Sequence, residues 1–149
     1  MRNLKTTFTT ILLALGCFWL SPAVKADGPP IVGLWQVYFT SPFLGTFQTY
    51  KQWHSDGLEF ETPSFTLGEC VGTWEQVAKR QTQLYHVGWT PGGTPYAPTS
   101  VRFVETELDT VSLDRNSYNG TYDQKYYNTA GSVVFHDHGT LHATRISVP

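Results

Sequence analysis

From Ile31 onward, apolar and polar residues alternate in short runs separated by turn signals, the period expected of half-buried β-strands. The first run, about residues 31–40, sets Trp35, Val37 and Phe39 against Leu34, Gln36 and Tyr38. Ser41-Pro42-Phe43 turns the chain into a second run, 45–54, rich in Thr, Phe, Tyr and Trp, which fit a pleated surface. Ser55-Asp56-Gly57 predicts a tight hairpin, because Asp-Gly tolerates the positive φ that such a turn needs. In the run 58–61, Leu58 and Phe60 oppose Glu59 and Glu61, and Pro63 ends the strand or marks an edge. Further runs cover 70–78, 83–89, 100–113, 118–128 and 133–146, with turns at Lys79-Arg80, 114–117 and 128–131. The segment 90–98 has no strand pattern and reads as an exposed loop at a rim.

No run carries a helical period with caps. Eight strands joined by short turns, without a βαβ rhythm, predict an all-β, eight-stranded antiparallel up-and-down barrel. Pairing the last run with the first removes the two exposed sheet edges.

Two copies of one short pattern stand out. Val32-Gly33-Leu34-Trp35-Gln36-Val37 opens the first run, and Val71-Gly72-Thr73-Trp74-Glu75-Gln76-Val77 opens the fourth. A glycine two residues before a tryptophan lets backbone approach a neighbour while the indole folds over the end of a core. Gly33-Leu34-Trp35 at the start of an eight-strand protein resembles the signature of lipocalins and the wider lipocalin-like (calycin) barrels. In that family a late arginine packs across the tryptophan at the closed end, and Arg145 matches that role by position. The pattern departs from true lipocalins in having no helix before the last segment and no Thr-Asp-Tyr motif, so it looks like a reduced bacterial form. The resemblance implies a cavity for a small apolar molecule, and in some relatives isomerase or lyase activity. The residues support the Arg145 assignment separately. The apolar odd face of the last run holds Val133, Phe135, Leu141, Ala143 and Arg145. A cation on that face needs a partner such as the Trp35 ring, unless it sits at a frayed strand end in water.

Tyr118, Tyr122 and Tyr126 share a face with Gly120 and Gln124, as a cavity wall or as an aromatic filling. Glu105 and Glu107 share the face of Val101, Phe103 and Val111. If that face is interior they form a buried acid–base pair, and if the register is opposite they are solvated, the commoner state of acids. His54 and His86 each suit a general base lining the cavity, or a hydrogen-bonded structural histidine. His136, His138 and His142 have the spacing of metal ligands, but they lie on the even face, opposite the apolar one. A polar solvent face is the favoured reading, with a bulge at Gly139 separating the pair from His142. No metal and no cofactor are expected. Asn119-Gly120-Thr121 has glycosylation form.

Residues 1–26 read as a signal peptide: Arg2 and Lys5 precede an apolar stretch, and Val24-Lys25-Ala26 forms the cleavage site. The stretch is shorter than a spanning helix requires. Cys17 offers a rival, lipidated start, but Ala14 stands where a lipobox has leucine. Cleavage after Ala26 leaves one domain, residues 27–149, with 7 basic and 12 acidic residues, and sends it to the periplasm or the exterior. Without a basic run, nucleic acid and anionic membrane are not expected partners, and nothing in the pattern sets an oligomeric state. Cys70 is then the lone cysteine, so no intrachain disulfide forms; it reads as a small buried residue rather than a nucleophile. Three functions stay open: a binder of a small, largely apolar molecule, a cofactor-free isomerase or lyase using an internal His or Glu, and a solid barrel that acts through its surface.

Overall fold

A computed structural model describes residues 28–64, 68–90 and 101–148. The expected signal segment, Cys17, the cleavage site after Ala26 and most of the rim loop lie outside them. Eight strands follow one another: β1 (Gly33–Ser41), β2 (Gly45–Trp53), β3 (Leu58–Pro63), β4 (Cys70–Ala78), β5 (Gln81–Thr90), β6 (Val101–Val111), β7 (Ser117–Tyr127) and β8 (Val133–Ile146). Each pairs antiparallel with the next, and β8 pairs with β1, so the sheet is a closed up-and-down barrel. The described residues include no helix, and hence none long and apolar enough to cross a membrane.

Closure rests on the pairing of Leu34 to Thr40 with Thr140 to Ile146, in which Trp35 stands opposite Arg145. The odd positions of β1 from Trp35 and of β8 from Phe135 face inward, as the alternation predicts, but Val133 is exposed, because the irregularity between β7 and β8 takes it out of that register. Trp35, Val37, Leu141 and Ala143 join Ile31, Trp53, Leu84, Val111 and Tyr118 in an apolar plug at one end. A smaller cluster at the other end gathers Cys70, Val101, Phe103 and Tyr126, with Phe135 packed against it. Burial raises the Cys70 thiol to about 12, aided by the negative field of Glu61, Glu105 and Glu59, so it is neutral and inert.

The two Gly-x-Trp copies diverge in role. Gly33 has φ +140°, and a Cβ there would collide with the Arg145 guanidinium. Trp35 is fully buried and donates its Nε1 to the Ile31 carbonyl at 2.7 Å. Trp74 is half-buried, and its Nε1 bonds the His54 and Leu58 carbonyls at 3.0 Å each, tying down the β2–β3 hairpin.

Two expectations about local structure are corrected. No bulge occurs at Gly139, which stays in register opposite Tyr122; the irregularity between β7 and β8 lies at Tyr126/Tyr127. Thr90 is the buried last residue of β5 rather than the start of an exposed loop.

Candidate functional site

Directly paired residues of neighbouring strands share a face, so register converts one inward residue into a row around the barrel. Trp53 is in the core, and its partner on β3 is Glu59. The row continues through Gly72 on β4, His86 on β5, Glu105 on β6, Gln124 on β7 and Asp137 on β8. Beside it, Lys51 of β2 stands opposite Glu61 of β3. The middle of the barrel is therefore lined with ionisable side chains, all of them buried.

Lys51 is the centre of this layer. Its Nζ is hydrogen-bonded to Glu107 Oε1 and lies 3.7 Å from Glu61 and Glu105 and 4.0 Å from Glu59. The Phe39 and Trp53 rings flank the same nitrogen. Burial opposes its charge, yet four surrounding carboxyl groups prevail and hold its pKa well above the usual lysine value. Glu107, despite burial, is kept below the usual carboxylate range by Lys51 and by hydrogen bonds from Glu105 and Lys51. Glu105 and Asp109 are pushed well upward by burial and by the Glu107 charge. Glu61 is also raised, chiefly by burial, against the pull of Lys51 and His86. The layer thus combines a lysine and Glu107 biased toward their charged forms with Glu61, Glu105 and Asp109, which burial biases toward the protonated form.

His86 is buried between β4 and β6. Its Nδ1 lies 2.8 Å from Glu59 Oε2, and its Nε2 lies 3.3 Å from Glu61 Oε2 without a hydrogen bond. The Phe103 ring stacks on the imidazole at 5.8 Å. Gly72 makes the first contact possible. It stands between Glu59 and His86 in the row, and a Cβ there would lie 2.9 Å from Glu59 Oε2.

Toward the second end, Gln124 Nε2 donates to Glu105 Oε2 at 2.9 Å, and Tyr126 donates to Gln124 Oε1 at 2.5 Å. A cavity of about 20 Å³ opens there, lined by Phe47, Glu61, Cys70, Trp89, Phe103, Glu105, Gln124 and Tyr126 among others. That volume admits roughly one water molecule. Tyr122 donates to Asp137 Oδ2 at 3.0 Å, and Ser41 donates to Oδ1 at 2.7 Å, so this carboxylate belongs to a separate buried knot.

Of the six ligand-facing residues expected from the sequence, His86, Glu105, Tyr118, Tyr122 and Tyr126 are interior. Tyr118 lies deep in the plug against Trp35, so it fills space rather than lining the cavity. His54 is corrected: β2 presents its odd residues inward and ends at Trp53, leaving His54 exposed with its ring against Phe60. His136, His138 and His142 are exposed, as expected; His136 bonds Asp123 and His142 bonds Asn119. Glu105 and Glu107 take the interior alternative, against the commoner behaviour of acids.

Sequence reading did not single out Lys51, Glu59, Glu61 or Asp109. The signal was present in Trp53: placing its indole inward also places Lys51 inward by parity, and Glu59 and Glu61 follow by pairing.

The fold and this interior define a closed eight-stranded barrel built around a buried, predominantly acidic polar layer. Comparison with protein-family models, with curated proteins and with solved structures finds no match to this chain.

Proposed function

We propose that this chain is a lipocalin-like barrel, exported past an N-terminal signal segment, that binds a small, largely apolar molecule at its second end. The ligand places one small polar head, a hydroxyl or an amine, in the cavity beside Glu61 and Glu105. Its apolar body lies against Phe47, Phe103 and Trp89. The observation that carries this reading is the cavity wall itself, which sets carboxyl groups opposite aromatic rings at an end where Trp89 is exposed. The small volume limits the head to a single polar group.

A fluorescence titration with aromatic amines, the matching alcohols and the matching carboxylic acids tests the proposal. Amines and alcohols should bind and acids should not, and Glu105→Gln should weaken amine binding more than alcohol binding. Failure of the whole series to bind would leave a solid barrel that acts through its surface.

One geometric feature supports a second reading, a cofactor-free isomerase or lyase. Glu59 holds His86 Nδ1, which leaves Nε2 available as a base, the arrangement general-base catalysis uses. Turnover of a ligand found in the first experiment, lost in His86→Gln while binding persists, would select this reading.

A further inference from the structure

We infer that His86 and Glu61, with Glu59 orienting the imidazole from its other nitrogen, form a buried site for a divalent transition-metal ion of the Zn²⁺ class. The three side chains each offer a ligand atom, and these atoms all lie within 4.8 Å of one another. All three are buried, and they come from two strands, β3 and β5, held on either side of β4. Rigid strands fix such positions better than loops do.

His86 and Glu61 have the geometry of two ligands on one ion. Metal–nitrogen and metal–oxygen bonds of about 2.0–2.2 Å at a tetrahedral angle place adjacent ligand atoms roughly 3.3–3.5 Å apart. His86 Nε2 and Glu61 Oε2 are 3.3 Å apart and make no hydrogen bond with each other. The other ring nitrogen is already occupied by Glu59 at 2.8 Å. A carboxylate on Nδ1 fixes the tautomer and leaves the Nε2 lone pair free, the outer-shell arrangement typical of metal-bound histidines. Glu59 Oε1 is buried without a hydrogen-bond partner, a second unmet acceptor in the same cluster.

Charge favours the same conclusion. Lys51 gives its hydrogen bond to Glu107 and stands 3.7 Å from Glu61 and 4.0 Å from Glu59. One ammonium group thus serves four carboxyl groups, and a divalent cation on His86 would displace the proton of Glu61 and take its place as the counter-charge. Glu61 also lines the cavity at the second end, which gives an ion a route to His86. Imidazole with carboxylate oxygen suits Zn²⁺ and its neighbours in the transition series better than Mg²⁺ or Ca²⁺. The inference is independent of any organic ligand, and a metal on Nε2 removes His86 from the general-base role.

The test uses the untagged, exported protein, stripped with chelator and titrated with Zn²⁺ alone. Calorimetry and native mass spectrometry should show one ion per chain. In the wild-type protein the nitrogen resonance of His86 Nε2 should shift on saturation while Nδ1 keeps its proton. Glu61→Gln should abolish stoichiometric binding, and Glu59→Gln should weaken it by about 10–100-fold, the usual effect of losing an outer-shell partner. His136→Ala with His138→Ala should leave it unchanged. Absence of stoichiometric Zn²⁺, or a bound ion that leaves the His86 resonances unmoved, would overturn the proposal whether or not the variants fold. So would binding that survives Glu61→Gln and disappears in the His136/His138 variant.

Discussion

Arg145 lies over the Trp35 ring, its guanidinium carbon 4.0 Å from the ring centroid, and joins the first strand to the last. The stack alone is worth about 0.5–2 kcal/mol. The same guanidinium donates to the carbonyls of Val32 at 2.8 Å, Pro30 at 2.6 Å and Arg115 at 2.6 Å. It therefore ties the segment before β1 and the β6–β7 turn to the closed end. Trp35→Ala should cost about 3–5 kcal/mol, the range for a deleted buried aromatic. Arg145→Lys keeps a charge but loses the planar stack and most of the carbonyl fork, and should cost less than Arg145→Ala. In denaturant melts, Trp35→Ala/Arg145→Ala should lose less than the sum of the single changes, since both remove one contact. Strict additivity would show that the stack contributes nothing.

The barrel was legible because its signals are local. Period-two alternation and turn residues such as Asp56-Gly57 mark the strands, and the predicted runs lie within a few residues of the observed ones. The stretch 58–61 shows where local signals stop. Leu58 and Phe60 against Glu59 and Glu61 suggests apolar residues inside, yet Glu59 and Glu61 are buried and Leu58 is 42% exposed. Register overrides the pattern here, because Glu59 is paired with the inward Trp53 and Glu61 with Lys51. The acids are tolerated inside because Lys51 and His86 stand beside them. Pairing between strands is a non-local fact, so the site stayed hidden while its scaffold did not.

The exposed histidines offer a pH test. His136 Nε2 lies 2.6 Å from Asp123 Oδ2, and Lys125 Nζ lies 3.2 Å from the other oxygen. Slight burial opposes ionisation of Asp123, but hydrogen bonds and charge from His136 and Lys125 prevail and lower its pKa from the ordinary 3.8. A depressed folded-state pKa gives stability that is present above the unfolded value and lost as pH falls through the folded one. The stability difference between wild type and Asp123→Asn should therefore shrink as pH drops below about 4. The pair is half-exposed, so His136→Ala with His138→Ala should change stability by less than about 1 kcal/mol at neutral pH. Urea melts across pH check both, and a gap that widened in acid would reverse the assignment.

Lys51 should be among the costliest single replacements. Lys51→Met fills the same space but leaves Glu107 ionised in the core with no cation beside it. Breaking a buried pair from one side costs about 3–5 kcal/mol. Adding Glu107→Gln to Lys51→Met should recover part of that loss, because the stranded charge is gone. If the double variant were no more stable than Lys51→Met, the cost would lie in packing rather than charge.

Gly72 offers the most selective way to disturb the site without touching an ionisable group. It lies opposite Glu59 on one side and His86 on the other, and the missing side chain is what lets those two meet at 2.8 Å. A methyl group there would sit 2.7 Å from Leu84 Cδ1, 2.9 Å from Glu59 Oε2 and 3.0 Å from the Tyr85 carbonyl. The leucine and glutamate can swing aside, but the carbonyl belongs to a paired strand and cannot. Gly72→Ala should therefore still fold while losing about 1–3 kcal/mol, the usual cost of overpacking. Its specific effect should fall on His86. With Glu59 displaced, Nδ1 loses its acceptor and the imidazole is free to adopt its other tautomer. Nitrogen NMR of the histidine ring should then show a mixture of tautomers, where the wild-type protein should show the proton on Nδ1 alone. A wild-type tautomer pattern in a folded Gly72→Ala protein would mean that Glu59 does not orient His86.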